Sequence, residues 1–129
     1  DTVAKGGNLA LNVAPGPDGR IPRPVVENLD ELGAWLKANG EAIYATRPVA
    51  PYRVGEWGFT GKGKSVYAVF LKPISSARAT VIPYRNTCSS VTQLATGAEI
   101  PFKVTGDGIV LSLPAGFCGD KYADVFRID

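Results

Sequence analysis

The first part of the chain opens with a strict alternation of apolar and small or polar residues. Leu9, Leu11 and Val13 share one face, while Ala10 and Asn12 share the other, which predicts a short strand. Two interpretations of this strand remain open. In a parallel barrel, Asn12 would lie near the carboxyl ends of the strands, where the active sites of such barrels are found. Alternatively, the strand is half exposed and Asn12 lies in solvent.

A helical period follows the strand. Apolar residues at the spacing i, i+4, i+7 and i+11 predict one helix over residues 22–39; they are Val25, Leu29, Leu32 and Leu36. At 1.5 Å per residue this helix would be about 27 Å long. A strand followed by a helix is typical of parallel α/β folds, in which each strand needs parallel neighbours. The rest of the chain does not supply them.

The pattern changes to short strands separated by turn residues after the helix. Residues 47–53 contain two prolines and predict a linker, which places a domain boundary between 1–46 and 47–129. Strands are predicted over 56–60, 65–71, 77–82, 91–95, 99–104, 108–113 and 123–128. We therefore expect a mostly β fold, with an antiparallel β-sandwich domain preceded by the last strand and helix of a (β/α) barrel.

Composition and charge exclude several classes of function. The chain has 129 residues and a net charge of +2, with lysine and arginine spread along it rather than grouped, so nucleic acid is not an expected partner. Its apolar runs are too short to span a membrane. The absence of histidine excludes Ser-His-Asp catalysis and histidine-ligated metals. Neither a cofactor nor a metal site is predicted.

The candidate acids and bases are the twelve carboxylates. Glu27, Asp30 and Glu31 lie on the polar side of the predicted helix, and Asp18 and Asp107 each precede a glycine in a predicted turn. No carboxylate lies in a recognisable catalytic motif. The sequence therefore predicts no catalytic residue within this chain.

Cysteines and aromatic residues leave two further questions open. Cys88 and Cys118 form either a disulfide, which would stabilise the fold by about 3–4 kcal/mol, or two free thiols. Trp57 and Tyr52 are candidates for stacking on the rings of a bound glycan, and packing in the core or at its rim is the alternative.

The most specific signal is a long ordered run near the start of the chain. It consists of KGGNLALN over residues 5–12, DG-x-IP over 18–22 and WL-x-x-NGEAIY over 35–44. This run resembles the end of the catalytic barrel in the α-L-fucosidases of glycoside hydrolase family 29. Later residues, among them ADVFRI over 123–128, are similar to the C-terminal β-sandwich of that family.

The resemblance implies a longer parent protein that is a retaining α-L-fucosidase. Such an enzyme uses one carboxylate as nucleophile and another as general acid and base, and in the family the nucleophile comes from earlier barrel strands. The implied partners are the upstream barrel of the same polypeptide and a fucosylated glycan, and Asn12 would lie at the rim of the substrate pocket. Family habit implies an exported protein, which is periplasmic, secreted or lysosomal.

We therefore expect a C-terminal fragment that supports the barrel and is inactive alone. The alternatives are a carbohydrate-binding module without catalysis and a complete small enzyme. Without its barrel, the strand over 9–13 would have two open edges and the helix over 22–39 an uncovered apolar stripe. We expect the strand to pair with another copy, rest against the sandwich or lack order, and both segments are candidates for self-association.

Overall fold

A computed structural model describes residues 1–74 and 80–129. Within these residues the chain forms an α-helix, a short 3₁₀ helix and eight strands. They are α1 (Arg23–Asn39), the 3₁₀ helix (Gly40–Ala42), β1 (Arg47–Val54), β2 (Trp57–Lys62), β3 (Ser65–Phe70), β4 (Thr80–Ile82), β5 (Val91–Gln93), β6 (Phe102–Thr105), β7 (Gly108–Leu111) and β8 (Asp124–Ile128). The predicted helix is confirmed to within one residue. Of the strand predicted over 77–82, residues 77–79 lie outside the described part, and the remainder forms β4.

The strands form two antiparallel sheets. One has five strands in the order β1-β2-β3-β8-β5, and the other has three strands in the order β4-β7-β6. Tight turns close two hairpins, in which β2 pairs with β3 through Lys62 and Ser65, and β6 pairs with β7 through Thr105 and Gly108. The predicted mostly β fold with an antiparallel sandwich is therefore confirmed.

The hydrophobic core lies between the two sheets. Phe59 of β2 and Phe126 of β8 are fully buried against Ile82, Ile109 and Leu111 of the smaller sheet. In β8, Phe126 and Ile128 belong to this core, while the intervening positions face the other way. The core is thus built by strict alternation along the central strands.

The outer face of the larger sheet packs against the helical segment. Tyr67 and Val69 of β3 and Val125 of β8 form a second apolar cluster with Ala42, and Trp35 of α1 packs against its edge. Only Asn39 is buried within α1, so most of the apolar stripe of the helix stays partly exposed. The helix therefore contacts the sandwich mainly through its C-terminal end.

The linker predicted over 47–53 is wrong, because these residues form β1. The prolines are tolerated there since β1 is the edge strand of its sheet, and an edge strand needs backbone donors on one side only. The pairing of β1 with β2 is also interrupted between Pro48 and Arg53. Before β1, the chain continues from α1 into the 3₁₀ helix Gly40–Ala42.

The strand predicted over 9–13 does not form either. This segment has no regular secondary structure, and its side chains stay exposed, with Leu9 at 70% and Leu11 at 59% of their full accessibility. A strand requires a hydrogen-bonded neighbour, and no described strand lies beside this segment. The segment therefore has the alternating pattern of a strand but no neighbouring strand to pair with.

Candidate functional site

A groove lies between the N-terminal segment, α1 and the outer face of the larger sheet. Its volume is about 680 Å³, and its lining includes Leu9, Leu11, Leu32, Trp35 and Tyr44. We call these five residues the apolar face. Leu9, Leu11, Leu32 and Tyr44 are at least 40% exposed. Exposed apolar surface of this kind is typical of a protein contact, a membrane contact or a ligand-binding groove.

Polar contacts hold the helical side of this groove in place. The indole Nε1 of Trp35 donates a hydrogen bond of 3.0 Å to the carbonyl oxygen of Ala123, just before β8. The hydroxyl of Thr60 in β2 donates a buried hydrogen bond of 2.7 Å to the carbonyl oxygen of Ala42. These contacts fix the end of α1 and the 3₁₀ helix against the larger sheet.

A third link joins Tyr67 to Glu41. The Tyr67 hydroxyl donates a hydrogen bond of 2.7 Å to the Glu41 carboxylate. Burial of the ring, together with this hydrogen bond and the negative charge of Glu41, raises the pKa of Tyr67 to about 12. Glu41 also lies 3.9 Å from the Arg127 guanidinium, which in turn donates to Asp129. Glu41 therefore links the 3₁₀ helix to β3 through Tyr67 and to β8 through Arg127.

The carboxylates of the late loop have structural partners. Asp124 is fully buried and accepts hydrogen bonds from the backbone amides of Ile74 and Asp120 and from the Gln93 amide. Asp120 accepts from the backbone amides of Tyr122 and Ala123. These hydrogen bonds hold the late loop against β5 and the segment that precedes residue 75.

The described residues contain no cluster of metal-ligating side chains and no helix that could cross a membrane. The two cysteines are free thiols, so the disulfide alternative is not formed in this structure. Burial raises the pKa of the Cys88 thiol, which makes it less reactive than an exposed cysteine.

Of the two residues proposed for glycan stacking, the structure buries Trp57 and exposes Tyr52. Trp57 is only 5% exposed, with its ring centroid 4.8 Å from that of Phe70 and 6.1 Å from that of Phe126. Its prediction as a stacking platform is wrong, because the ring is part of the core. Tyr52 is half exposed in the irregular part of β1. Asn12 is exposed in the unpaired N-terminal segment, and its predicted place at a pocket rim stays a prediction.

Comparison with known proteins gives the same family over nearly the whole chain. The α-L-fucosidase family model matches residues 1–41. An α-L-fucosidase of Branchiostoma floridae is 38% identical over 120 residues, which are 88% of this chain and 26% of that protein. The tissue α-L-fucosidase of Homo sapiens is 36% identical over 122 residues, which are 88% of this chain and 25% of that protein.

Solved structures agree with these relatives. An α-L-fucosynthase of Thermotoga maritima, in complex with a fucosyl disaccharide azide, has a TM-score of 0.83 at 32% identity, and the match covers 99% of this chain and 31% of that chain. A family 29 α-L-fucosidase of Bacteroides thetaiotaomicron, trapped as a covalent intermediate, has a TM-score of 0.79 at 27% identity, over 99% and 30% of the two chains.

The chain spans about a quarter of the length of the curated relatives that it matches. It belongs to the α-L-fucosidases of glycoside hydrolase family 29, and it corresponds to the C-terminal region of these proteins.

Proposed function

We propose that this chain is the supporting C-terminal part of a longer protein that hydrolyses terminal α-L-fucosyl residues of glycans. The observation that carries the proposal is the exposed apolar face, on a chain that spans about a quarter of its relatives. In the longer protein, this face packs against the catalytic domain. The segment over 9–13 pairs there as the last strand of the barrel, which supplies the neighbours that its alternating pattern requires.

The chain by itself is inactive in this proposal. Hydrolysis with retention needs two carboxylates on either side of the glycosidic bond, about 5–5.5 Å apart. The buried Asp124 and the neighbouring Asp120 are occupied by structural hydrogen bonds. The retaining mechanism is proposed because a covalent intermediate is described for the Bacteroides thetaiotaomicron relative.

The test is a comparison of two purified proteins, the 129-residue chain and the longer natural protein that contains it, with 4-nitrophenyl α-L-fucoside as substrate. We expect release of nitrophenol by the longer protein only. Nitrophenol release by the chain alone, retained through a second purification step, would refute inactivity. A longer protein without activity on this and other aryl or natural α-L-fucosides would refute the proposed hydrolysis.

A further inference from the structure

A second groove lies on the sandwich, away from the apolar face. It has a volume of about 440 Å³ and runs between the irregular part of β1, the segment after β4 and the β6–β7 turn. Pro51 and Val54 supply apolar surface from β1, Arg85 and Asn86 follow β4, and Asp107 belongs to the turn. No residue of the apolar face lines this second groove.

Close backbone packing builds this groove before any ligand arrives. A Cβ atom at Gly108 would lie 2.1 Å from the carbonyl oxygen of Ile82 and 3.1 Å from the Cα atom of Pro83. The β6–β7 turn is thus pressed directly against the end of β4, and this contact places Asp107 beside the segment that carries Arg85. Only glycine permits so close an approach.

The segment after β4, which lines one side of the groove, is also held in place. The backbone amide of Tyr84 donates a hydrogen bond of 2.7 Å to the carbonyl oxygen of Ile82. The ring of Tyr84 stacks on Phe59 in the core at 5.9 Å between centroids, and its hydroxyl accepts a hydrogen bond of 2.9 Å from Asn86. The polar side chains therefore rest on a rigid support, which lowers the entropy lost when a ligand binds.

The charges in the groove lack partners within the part of the chain that the structure describes. The Arg85 guanidinium and the Asp107 carboxylate form no ion pair or hydrogen bond with another described residue, and both side chains are exposed. The backbone amide of Asp107 donates to the Thr105 hydroxyl within the turn. A guanidinium offers donors in a fixed plane, and a carboxylate offers acceptors. Together with the Asn86 amide, they form a set that can both donate to and accept from neighbouring hydroxyl groups.

We propose that this groove binds a neutral oligosaccharide, namely the part of a glycan that does not carry the fucosyl residue. One positive and one negative side chain give a lining without net charge, which does not favour a strongly charged ligand. A sugar ring presents hydroxyl groups at its edge and C–H groups on its face, which match the polar side and the Pro51–Val54 side of the groove. The choice of a carbohydrate rests on the proposed function, because the protein would act on glycans.

The test uses lacto-N-tetraose, a neutral tetrasaccharide without fucose, titrated into the isotope-labelled 129-residue chain and followed by NMR. We expect weak binding, with a dissociation constant on the order of 1 mM, and chemical-shift changes centred on Arg85, Asn86 and Asp107. The variants Arg85→Gln and Asp107→Asn should each weaken binding about fivefold or more, because each removes charged hydrogen-bond groups. The matched controls Lys103→Gln and Asp30→Asn change exposed charges outside the groove and should bind like the wild type.

Three results would overturn the proposal: no shift changes at about ten times the expected dissociation constant, shift changes located elsewhere, or full binding by both groove variants. If the chain does not fold alone, the binding of lacto-N-tetraose is measured by calorimetry with the longer protein and the same variants, and the same results decide. Because lacto-N-tetraose has no fucosyl residue, its binding is independent of hydrolysis. Failure here would leave nitrophenyl fucoside activity intact, so the two proposals fail separately.

Discussion

At the scale of single residues, Gly108 has the strictest steric requirement. Its φ angle is +136°, and an added Cβ atom would overlap the carbonyl oxygen of Ile82. We predict that Gly108→Ala lowers the free energy of unfolding by more than about 2 kcal/mol, because it adds strain and separates the turn from β4. Urea denaturation measures the change. Gly106→Ala is the control, since no atom lies within 4 Å of its Cβ position; equal losses in the two variants would contradict this explanation.

The Tyr67–Glu41 pair gives a second prediction for a single residue. The pKa of Tyr67 is raised from 10.0 to about 12 in the folded protein. The folded state thus holds this proton more tightly than the unfolded state does. The resulting stability is complete below pH 10 and is lost as the pH rises towards 12. Thermal unfolding between pH 8 and 12 should show a loss in the wild type that is smaller in Tyr67→Phe. Identical pH profiles would refute this role of Tyr67.

At the scale of elements, β8 joins the edge strand β5 to the rest of the larger sheet. It lies between β3 and β5, and Phe126 pairs with Ala68 on one side and Gln93 on the other. We predict that Phe126→Ala lowers the free energy of unfolding by about 3–5 kcal/mol, because it leaves a cavity between the sheets. The exposed Val104→Thr in β6 should change it by about 0.5 kcal/mol or less. A loss below about 1 kcal/mol for Phe126→Ala would contradict the place of Phe126 in the core between the two sheets.

The elements also show which parts of the fold were predictable from sequence. Helix α1 and most strands follow from period and turn residues, since those signals are local. Strand β1 does not follow from the sequence, because Pro48 and Pro51 are typical of a linker. A strand tolerates these prolines only at the edge of a sheet, which is where β1 lies. The segment over 9–13 carries a true strand pattern, but a strand also needs a neighbour that these residues cannot specify alone.

The candidate sites were less predictable for the same reason. An aromatic residue in a strand does not reveal from its own position which face is buried, and Trp57 faces the core. The groove beside Asp107 depends on contact between the β6–β7 turn and the end of β4, which are separated by more than twenty residues. The Asp107-Gly108 sequence indicated a turn, but nothing in it indicated the partner of that turn.

At the scale of the whole molecule, the apolar face has a consequence for the chain studied alone. Leu9 and Leu11 remain mostly exposed, so we predict weak self-association that increases with concentration. Sedimentation velocity should show a rising mean mass, and the double variant Leu9→Ser with Leu11→Ser should reduce it. Val81→Ser removes an exposed apolar side chain of β4, outside both grooves, and should leave the association unchanged. Equal association in all three proteins would exclude the apolar face as the contact.

The most direct test of the central claim is hydrogen exchange at residues 9–13 in two proteins. In the chain alone, these amides lack a strand partner and should exchange rapidly. In the longer natural protein, we predict protection by a factor of about a hundred or more, because the segment pairs with barrel strands and Leu9 and Leu11 become covered. Rapid exchange in both proteins would contradict the claim that this face packs against the catalytic domain.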